Sequence, residues 1–176
     1  MRSAVLSAAR DELLKKGFDD FAIGDVAAAA GVQKTSIYRR YKTRAALVLE
    51  VVLETADEGI AIPDTGTLGG DVSLLLQRMR AFLVSPVGQA LAAIAHQRGD
   101  EELESAQRSF WEKRFERLSV LFDRAQERGE IPPATDRSLF LSMVIGPLWY
   151  RLFLTREPFD SQLIHDLVAR VLRGFA

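Results

Sequence analysis

The sequence predicts an all-α fold of about nine helices, and three observations carry that expectation. Apolar residues recur at three- and four-residue steps almost throughout, no strand-length alternation competes with them, and only 12 Gly and 6 Pro interrupt the 176 residues. A hydrophobic fraction of 48% supplies a sizeable core and excludes general disorder. The length fits one domain, or a small domain with a larger one. There is no cysteine, which removes disulfide scaffolds, thiolate zinc sites and cysteine nucleophiles together. The two histidines, His96 and His165, are 69 positions apart, so no metal pair and no cofactor are expected.

The elements follow in order. Val5, Leu6, Ala9, Leu13 and Leu14 trace a first helix that Gly17 stops. A short helix covers about Gly24 to Ala30 and breaks at Gly31; another runs from Lys34 to Tyr41. Thr43 caps a longer helix over about 43–58, with Leu47, Val48, Val51 and Val52 on its packing face. Pro63, Asp64 and three glycines make Ile60 to Gly70 the clearest loop. Val72, Leu75, Leu76, Met79, Phe82 and Leu83 form the next stripe, and Ser85-Pro86 opens a helix with Leu91, Ile94 and Ala95. A long helix from about Asp100 to Arg128 has acids in its first turn and a stripe of Trp111, Phe115, Leu118, Phe122 and Ala125, ended by Gly129 and Pro132-Pro133. Thr135 is expected to cap the following helix and Asp160 the last one, which carries Leu163, Ile164, Leu167, Val168, Val171 and Leu172. Pro147 removes a backbone bond to Met143, so a kink is expected there.

Arg10, Asp11 and Glu12 break any secretory core near the N-terminus. The longest uncharged stretch, Ser138 to Tyr150, has 13 residues against the roughly 20 that span a bilayer. It reads as a buried helix, so the expectation is a soluble, cytoplasmic protein with no membrane partner.

A net charge of −1 hides an asymmetry: residues 1–47 hold nine basic and five acidic side chains, and Lys34 to Arg44 holds five basic and no acidic ones. A positive block on an otherwise acidic chain suggests a polyanion partner, although a merely solvated face gives the same pattern. The geometry narrows the choice. Advancing about 100° per residue from Thr35 puts Tyr38, Arg39 and Lys42 within roughly 60° of it and Ile37 and Tyr41 opposite. One face is cationic and hydroxyl-bearing, the other packs. Small alanines in the preceding helix, a tight turn at Gly31 and an apolar plug at Val32 complete the requirements of a helix-turn-helix whose second helix enters the major groove.

At these residues, namely Ala8-Ala9, Leu13, Gly17-Phe18, Val26-Ala27, Ala30-Gly31-Val32, Ser36-Ile37-Tyr38 and Tyr41 to Leu47, the chain resembles the DNA-binding domain of TetR/AcrR-family transcriptional regulators. Its second half resembles one C-terminal type of that family, through Pro63-Asp64-Thr65-Gly66, Gly70-Asp71, Ser85-Pro86-Val87-Gly88, Gly129-Glu130-Ile131, Gly146-Pro147-Leu148-Trp149-Tyr150-Arg151 and Glu157-Pro158. The resemblance implies a helix-turn-helix DNA-binding domain over 1–47 and a larger ligand-binding and dimerisation domain over 48–176, joined by helix 43–58. It implies that Lys34, Thr35, Ser36 and Arg39 reach bases or phosphates, that Tyr38 gives its hydroxyl to a phosphate, and that Lys42 and Arg44 hold the DNA backbone further along. Operator DNA and a small-molecule effector are the implied partners, with repression relieved by the effector the expected mode. A homodimer is expected through the last two helices, about 136–154 and 161–173.

For the effector, Met79, Phe82, Phe110, Trp111, Arg114, Phe115, Met143 and Tyr150 are candidate pocket residues, and Gln77, His96 and Arg151 further polar candidates, although core packing explains the apolar ones equally. Two departures from the family pattern stand out: Phe21 and Ala22 occupy positions where Thr or Ser usually caps the second helix, and Gly24 sits where Arg is common. They leave room for an alternative, a dimeric small-molecule-binding module with weak or lost DNA binding. An enzyme is not expected. The acids after His96 are where a helix dipole favours them, and nothing has nucleophile or ligand spacing.

Overall fold

The structure is a computed structural model that describes residues 1–95 and 101–175. Among these residues the chain is entirely helical between its loops: α1 (Arg2–Lys16), α2 (Ile23–Ala29), α3 (Lys34–Tyr41), α4 (Arg44–Gly59), α5 (Leu68–Leu83), α6 (Pro86–Ala95), α7 (Glu101–Glu127), α8 (Arg137–Trp149), a π-wound extension (Tyr150–Thr155) and α9 (Ser161–Phe175). His96 lies outside the described residues. By contacts the chain forms two compact units, one of Met1–Gly59 with Phe82–Glu112, the other of Ile60–Ala81 with Lys113–Ala176.

The first unit is built on α1, α4 and α6, which pack on one another, with α2 on α1 and α3 on both α2 and α4. Leu6, Ala9, Leu13, Val26, Leu47, Val48, Val51 and Val52 have no more than token exposure. Each large apolar side chain buried this way contributes about 1.5–3 kcal/mol. Gly17 ends α1 at φ 73°, a conformation glycine adopts without a Cβ penalty. Gly31, at φ 65°, reverses the chain between α2 and α3, and the Val32 N–H closes the turn on the Ala27 carbonyl at 3.0 Å. Thr43 accepts from the Ala46 N–H at 3.1 Å, so the expected cap of α4 is formed. At α6, Ser85 accepts from the Gly88 N–H at 3.2 Å with Pro86 in the first helical position.

In the second unit Phe122 meets Phe140 edge-on at 5.2 Å, and Phe140 meets Phe175 at 5.1 Å, tying α7, α8 and α9. The Pro63–Gly66 turn is held by Asp71, fully buried, whose Oδ1 accepts from both the N–H and the hydroxyl of Thr65. Glu130 accepts from the Leu68 N–H, and Arg124 donates to the Pro63 carbonyl. A Cβ on Gly70 would lie 2.3 Å from the Thr65 hydroxyl, so this glycine is fixed by close approach. The Pro-Asp-Thr-Gly and Gly-Asp signatures are thus two halves of one clasp.

Three expectations need correcting. The cap of α8 is Asp136, which accepts from the Leu139 N–H at 2.9 Å, while Thr135 turns its hydroxyl back to the Pro132 carbonyl. Phe115 is exposed; the buried stripe of α7 runs through Phe110, Arg114, Leu118, Leu121, Phe122 and Ala125. A guanidinium on a long apolar stem occupies the place that hydrophobicity alone assigned to the neighbouring ring.

The third concerns the burial of α8: its length matches the helix expected over about 136–154, but it is not the buried helix expected. With its π-wound extension it runs 19 residues, Arg137–Thr155, long and apolar enough to cross a membrane by length and composition; an 18-residue stretch of it has a mean hydropathy of 1.3 and is only 22% buried. Leu139, Met143, Gly146, Tyr150 and Leu154 stand exposed along one edge. At Pro147 the helix continues, and the Tyr150 N–H reaches the carbonyls of Gly146 and Pro147 as the winding widens into the π segment. Asp160 caps α9 through the Leu163 N–H as expected.

Candidate nucleic-acid interface

The interface is built on α3. Its inner edge is fixed by Ile37 and Tyr41, both buried, and its outer edge presents Lys34, Thr35, Tyr38, Arg39 and Arg40 to solvent with Ser36 half-buried beside them. Gln33 precedes the helix in extended conformation and contributes no side-chain cap; its carbonyl takes the Ser36 N–H at 2.9 Å, which leaves the Lys34 and Thr35 N–H groups for an external acceptor. Tyr38 is 44% exposed although aromatic. The face inferred from periodicity is therefore the face the fold leaves free.

The basic side chains of residues 1–47 differ in what they meet. Arg2 pairs with Glu50 at 2.7 Å, and Arg10 with Glu54 at 3.3 Å and Glu58 at 3.0 Å, fastening α1 along one edge of α4. Lys16 bridges Glu12 and Asp25, each at 2.7 Å, which holds the Asp25 carboxyl below the usual carboxylate range and raises the lysine. Lys34 and Arg39, on the outer edge of α3, form no salt bridge among the described residues, and Lys34 acts on the Asp25 carboxyl through its charge alone.

Lys42 and Arg44 flank α3 differently from its outer edge. Lys42 is the C-cap at φ 59°, ψ −52°, and its Nζ lies 2.9 Å from Glu102, which raises its pKa. Arg44 donates to the carbonyls of Asp19 and Phe21 and lies 4.5 Å over the Phe18 ring, bracing the α1–α2 turn from the start of α4. Its role as a brace was missed in the sequence, because a residue with a plausible phosphate role gave no reason to look for an internal one.

The departures at α2 are visible. Ala22 offers no side-chain cap. A Cβ on Gly24 would lie 3.5 Å from the Lys34 Nζ, so the missing side chain leaves room in which the lysine lies over α2. Beside α3, a shallow groove of about 80 Å³ is lined by Met1, Arg2, Val5, Val32, Ser36, Ile37, Arg40 and Tyr41. Val32 is a wall of that groove, half-buried, more than the plug expected of it.

The effector candidates are not brought together so clearly. In the first unit Phe110 is buried and Phe82 and Trp111 are half-buried; in the second Met79 and Arg114 are buried and Phe115, Met143 and Tyr150 are exposed. Gln77 and His165 are also exposed. Arg151 closes the α8–α9 turn, donating to the Pro158 carbonyl at 2.7 Å and pairing with Glu157 at 3.3 Å.

A three-helix head with a solvent-facing cationic third helix defines the chain as a helix-turn-helix regulator. Family models agree along most of its length: residues 5–51 match the bacterial regulatory proteins of the tetR family, and residues 62–171 match the tetracyclin repressor-like C-terminal domain. The chain belongs to the TetR family of transcriptional regulators. It is 30% identical to the HTH-type transcriptional regulator YdeS of Bacillus subtilis, over 97% of this chain and 87% of that protein. It is also 30% identical to the DNA-binding transcriptional repressor TetR of Mycobacteroides abscessus, over 97% and 90%. The crystal structure of the TetR family transcription regulator SCO0332 superposes with a TM-score of 0.89 at 27% identity, covering 99% of this chain and 98% of that one.

Proposed function

We propose that this regulator is a homodimeric repressor that sits on operator DNA through two copies of α3 and leaves it when a small molecule binds the body of the protein. The observation that carries the reading is the single solvent-facing edge of α3, with Lys34, Thr35, Tyr38 and Arg39 open and Ile37 and Tyr41 packed inward. In this reading residues 1–47 are the DNA-binding domain, residues 48–176 hold the effector and the dimer contacts, and helix 43–58 joins them. Lys34, Thr35, Ser36 and Arg39 meet base edges or phosphates, Tyr38 gives its hydroxyl to a phosphate, and Lys42 and Arg44 hold the flank. Arg44 does so chiefly by bracing the turn that presents the head. The chain would act in the cytoplasm without catalysis.

Two α3 helices in a rigid dimer must match successive major grooves about 34–36 Å apart. An effector that favours another separation lowers DNA affinity by its differential binding, and DNA weakens effector binding equally. The apolar edge Leu139–Met143–Gly146–Tyr150–Leu154 supports self-association along α8, with small Gly146 at its centre allowing close approach. That use also accounts for an apolar helix so little buried in one chain. For the effector, the candidates with an interior position are Arg114 and Met79 in the second unit and Phe110 in the first.

A gel-shift with DNA from upstream of the protein's own gene, at two salt concentrations, tests the reading. Specific binding that falls steeply with salt supports it. A dimer that binds small molecules yet shifts no DNA at either salt concentration would favour the module that has lost DNA binding.

A further inference from the structure

We infer that Glu102 is an internal competitor for the DNA phosphate at Lys42, so that the start of α7 sets the affinity of the head for duplex DNA. The inference rests on the DNA-binding reading above and adds a regulator to it. Lys42 closes α3 with its backbone in the positive-φ region, and its ammonium reaches Glu102 at 2.9 Å rather than projecting freely beside Tyr38 and Arg39. Glu102 stands in the first turn of α7 with Glu101 and Glu104, where the N-terminal end of the helix dipole favours carboxylates. That part of α7 is fastened within the first unit, since Gln107 donates to the Ile94 carbonyl of α6 at 2.8 Å, and α6 packs on α1 and α4.

The chemistry of the exchange follows from charge. A phosphate that takes the Lys42 ammonium must displace the Glu102 carboxylate or accept a like charge a few ångströms away. Both side chains are more than half exposed, at 62% and 55%, so the pair is readily opened and its effect on affinity is graded. Trading one ion pair for another also mutes the salt response, because the cation shed by the phosphate is regained by the freed carboxylate. Lys34 and Arg39 form no salt bridge among the described residues, and only the charge of Asp25 acts on Lys34, so no carboxylate is bonded to either in this way. Any rearrangement that moves the first turn of α7 away from α3 releases Lys42, and one that holds it there withholds a DNA contact from each head.

The test uses the full chain and a mixed-sequence duplex of about 30 base pairs, with folding checked by circular dichroism. Glu102→Gln is expected to bind about three- to tenfold more tightly than wild type at low salt, with log affinity falling more steeply against log salt by about one per head. Lys42→Gln is expected to weaken Glu102→Gln strongly and wild type only slightly. Acylation of the Lys42 amine, followed by mass spectrometry without DNA, is expected to quicken in Glu102→Gln. Equal affinity and slope in Glu102→Gln, additive effects of the two substitutions, or unchanged acylation would each overturn the inference while wild type still shifts the duplex. A wild type that shifts no duplex at about 50 mM salt removes the DNA-binding reading itself, and this inference with it.

Discussion

Arg44 lies 4.5 Å over the ring of Phe18 while its guanidinium donates to the carbonyls of Asp19 and Phe21. One side chain thus closes the turn between α1 and α2 and ties it to the first residue of α4. The head is held as a unit by a residue two positions beyond Lys42, the C-cap of α3.

Replacing Arg44 by alanine removes a cation–π contact and charge-assisted hydrogen bonds, together about 1–3 kcal/mol. Thermal unfolding should show that loss. Arg44→Lys should recover less than half of it, because a lysine supplies the charge without the planar fork or the stacking. A full recovery by lysine would reduce the residue to a point charge.

Tyr38→Phe deletes one hydroxyl on the open edge of α3 and should weaken binding about tenfold on every duplex tested, with stability unchanged. Arg39→Ala should weaken binding and also relax preference at one base position if its guanidinium reads a guanine. Uniform weakening from both substitutions would assign Arg39 to a phosphate.

Gly88 is fixed by its surroundings, since a Cβ there would lie 2.3 Å from the Phe82 carbonyl oxygen and 2.5 Å from the Leu83 Cα. These are backbone atoms and cannot swing aside. Gly88→Ala should cost about 1–3 kcal/mol in chemical denaturation, whereas Gly146→Ala, with open space around it, should leave the monomer's stability nearly unchanged.

Met143→Arg places a charge in the middle of the exposed apolar edge of α8. Sedimentation should show at least a tenfold shift toward monomer, because a buried unpaired charge is costly in any interface. The melting temperature should then lose its dependence on protein concentration.

The Tyr41 hydroxyl is buried with no well-formed hydrogen bond, and burial, helped by Glu50, pushes its pKa up against the opposing hydrogen-bonding pull and charge of the nearby Arg40. Its neutral form is favoured in the folded head. The stability it contributes is intact below the ordinary tyrosine pKa of about 10 and is lost as pH rises through the raised folded value. Melting of wild type should therefore decline above about pH 10 more than melting of Tyr41→Phe. At neutral pH the substitution should be neutral or stabilising by up to about 1 kcal/mol.

Much of the head was legible in the sequence because its signals are local. Gly17 and Gly31 mark positive-φ turns, and the angular order of Thr35, Ile37, Tyr38 and Tyr41 sorts α3 into a wet and a packed edge before any tertiary contact is known. What stayed hidden depends on distant partners. Nothing near Arg44 announces Phe18, and nothing near Lys42 announces Glu102, 60 residues later. The cap at Asp136 was overlooked since Thr135 beside it is equally able to cap, and only the backbone decides which oxygen faces the Leu139 N–H. The apolar count along α8 cannot tell a side chain buried in its own chain from one left for a second chain. For the effector, aromatic residues that line a pocket and those that fill a core have the same composition, which is why Phe115 and Tyr150 were grouped with Phe110.

Selection of bound duplexes from a random library, sequenced for wild type and Arg39→Ala, measures the central claim most directly. The account predicts an inverted repeat whose half-sites lie about one helical turn, 10–10.5 base pairs, or a multiple of it apart, enriched by wild type and blurred in the variant. Enrichment of no sequence, or of a single unrepeated site bound by one chain, would contradict it.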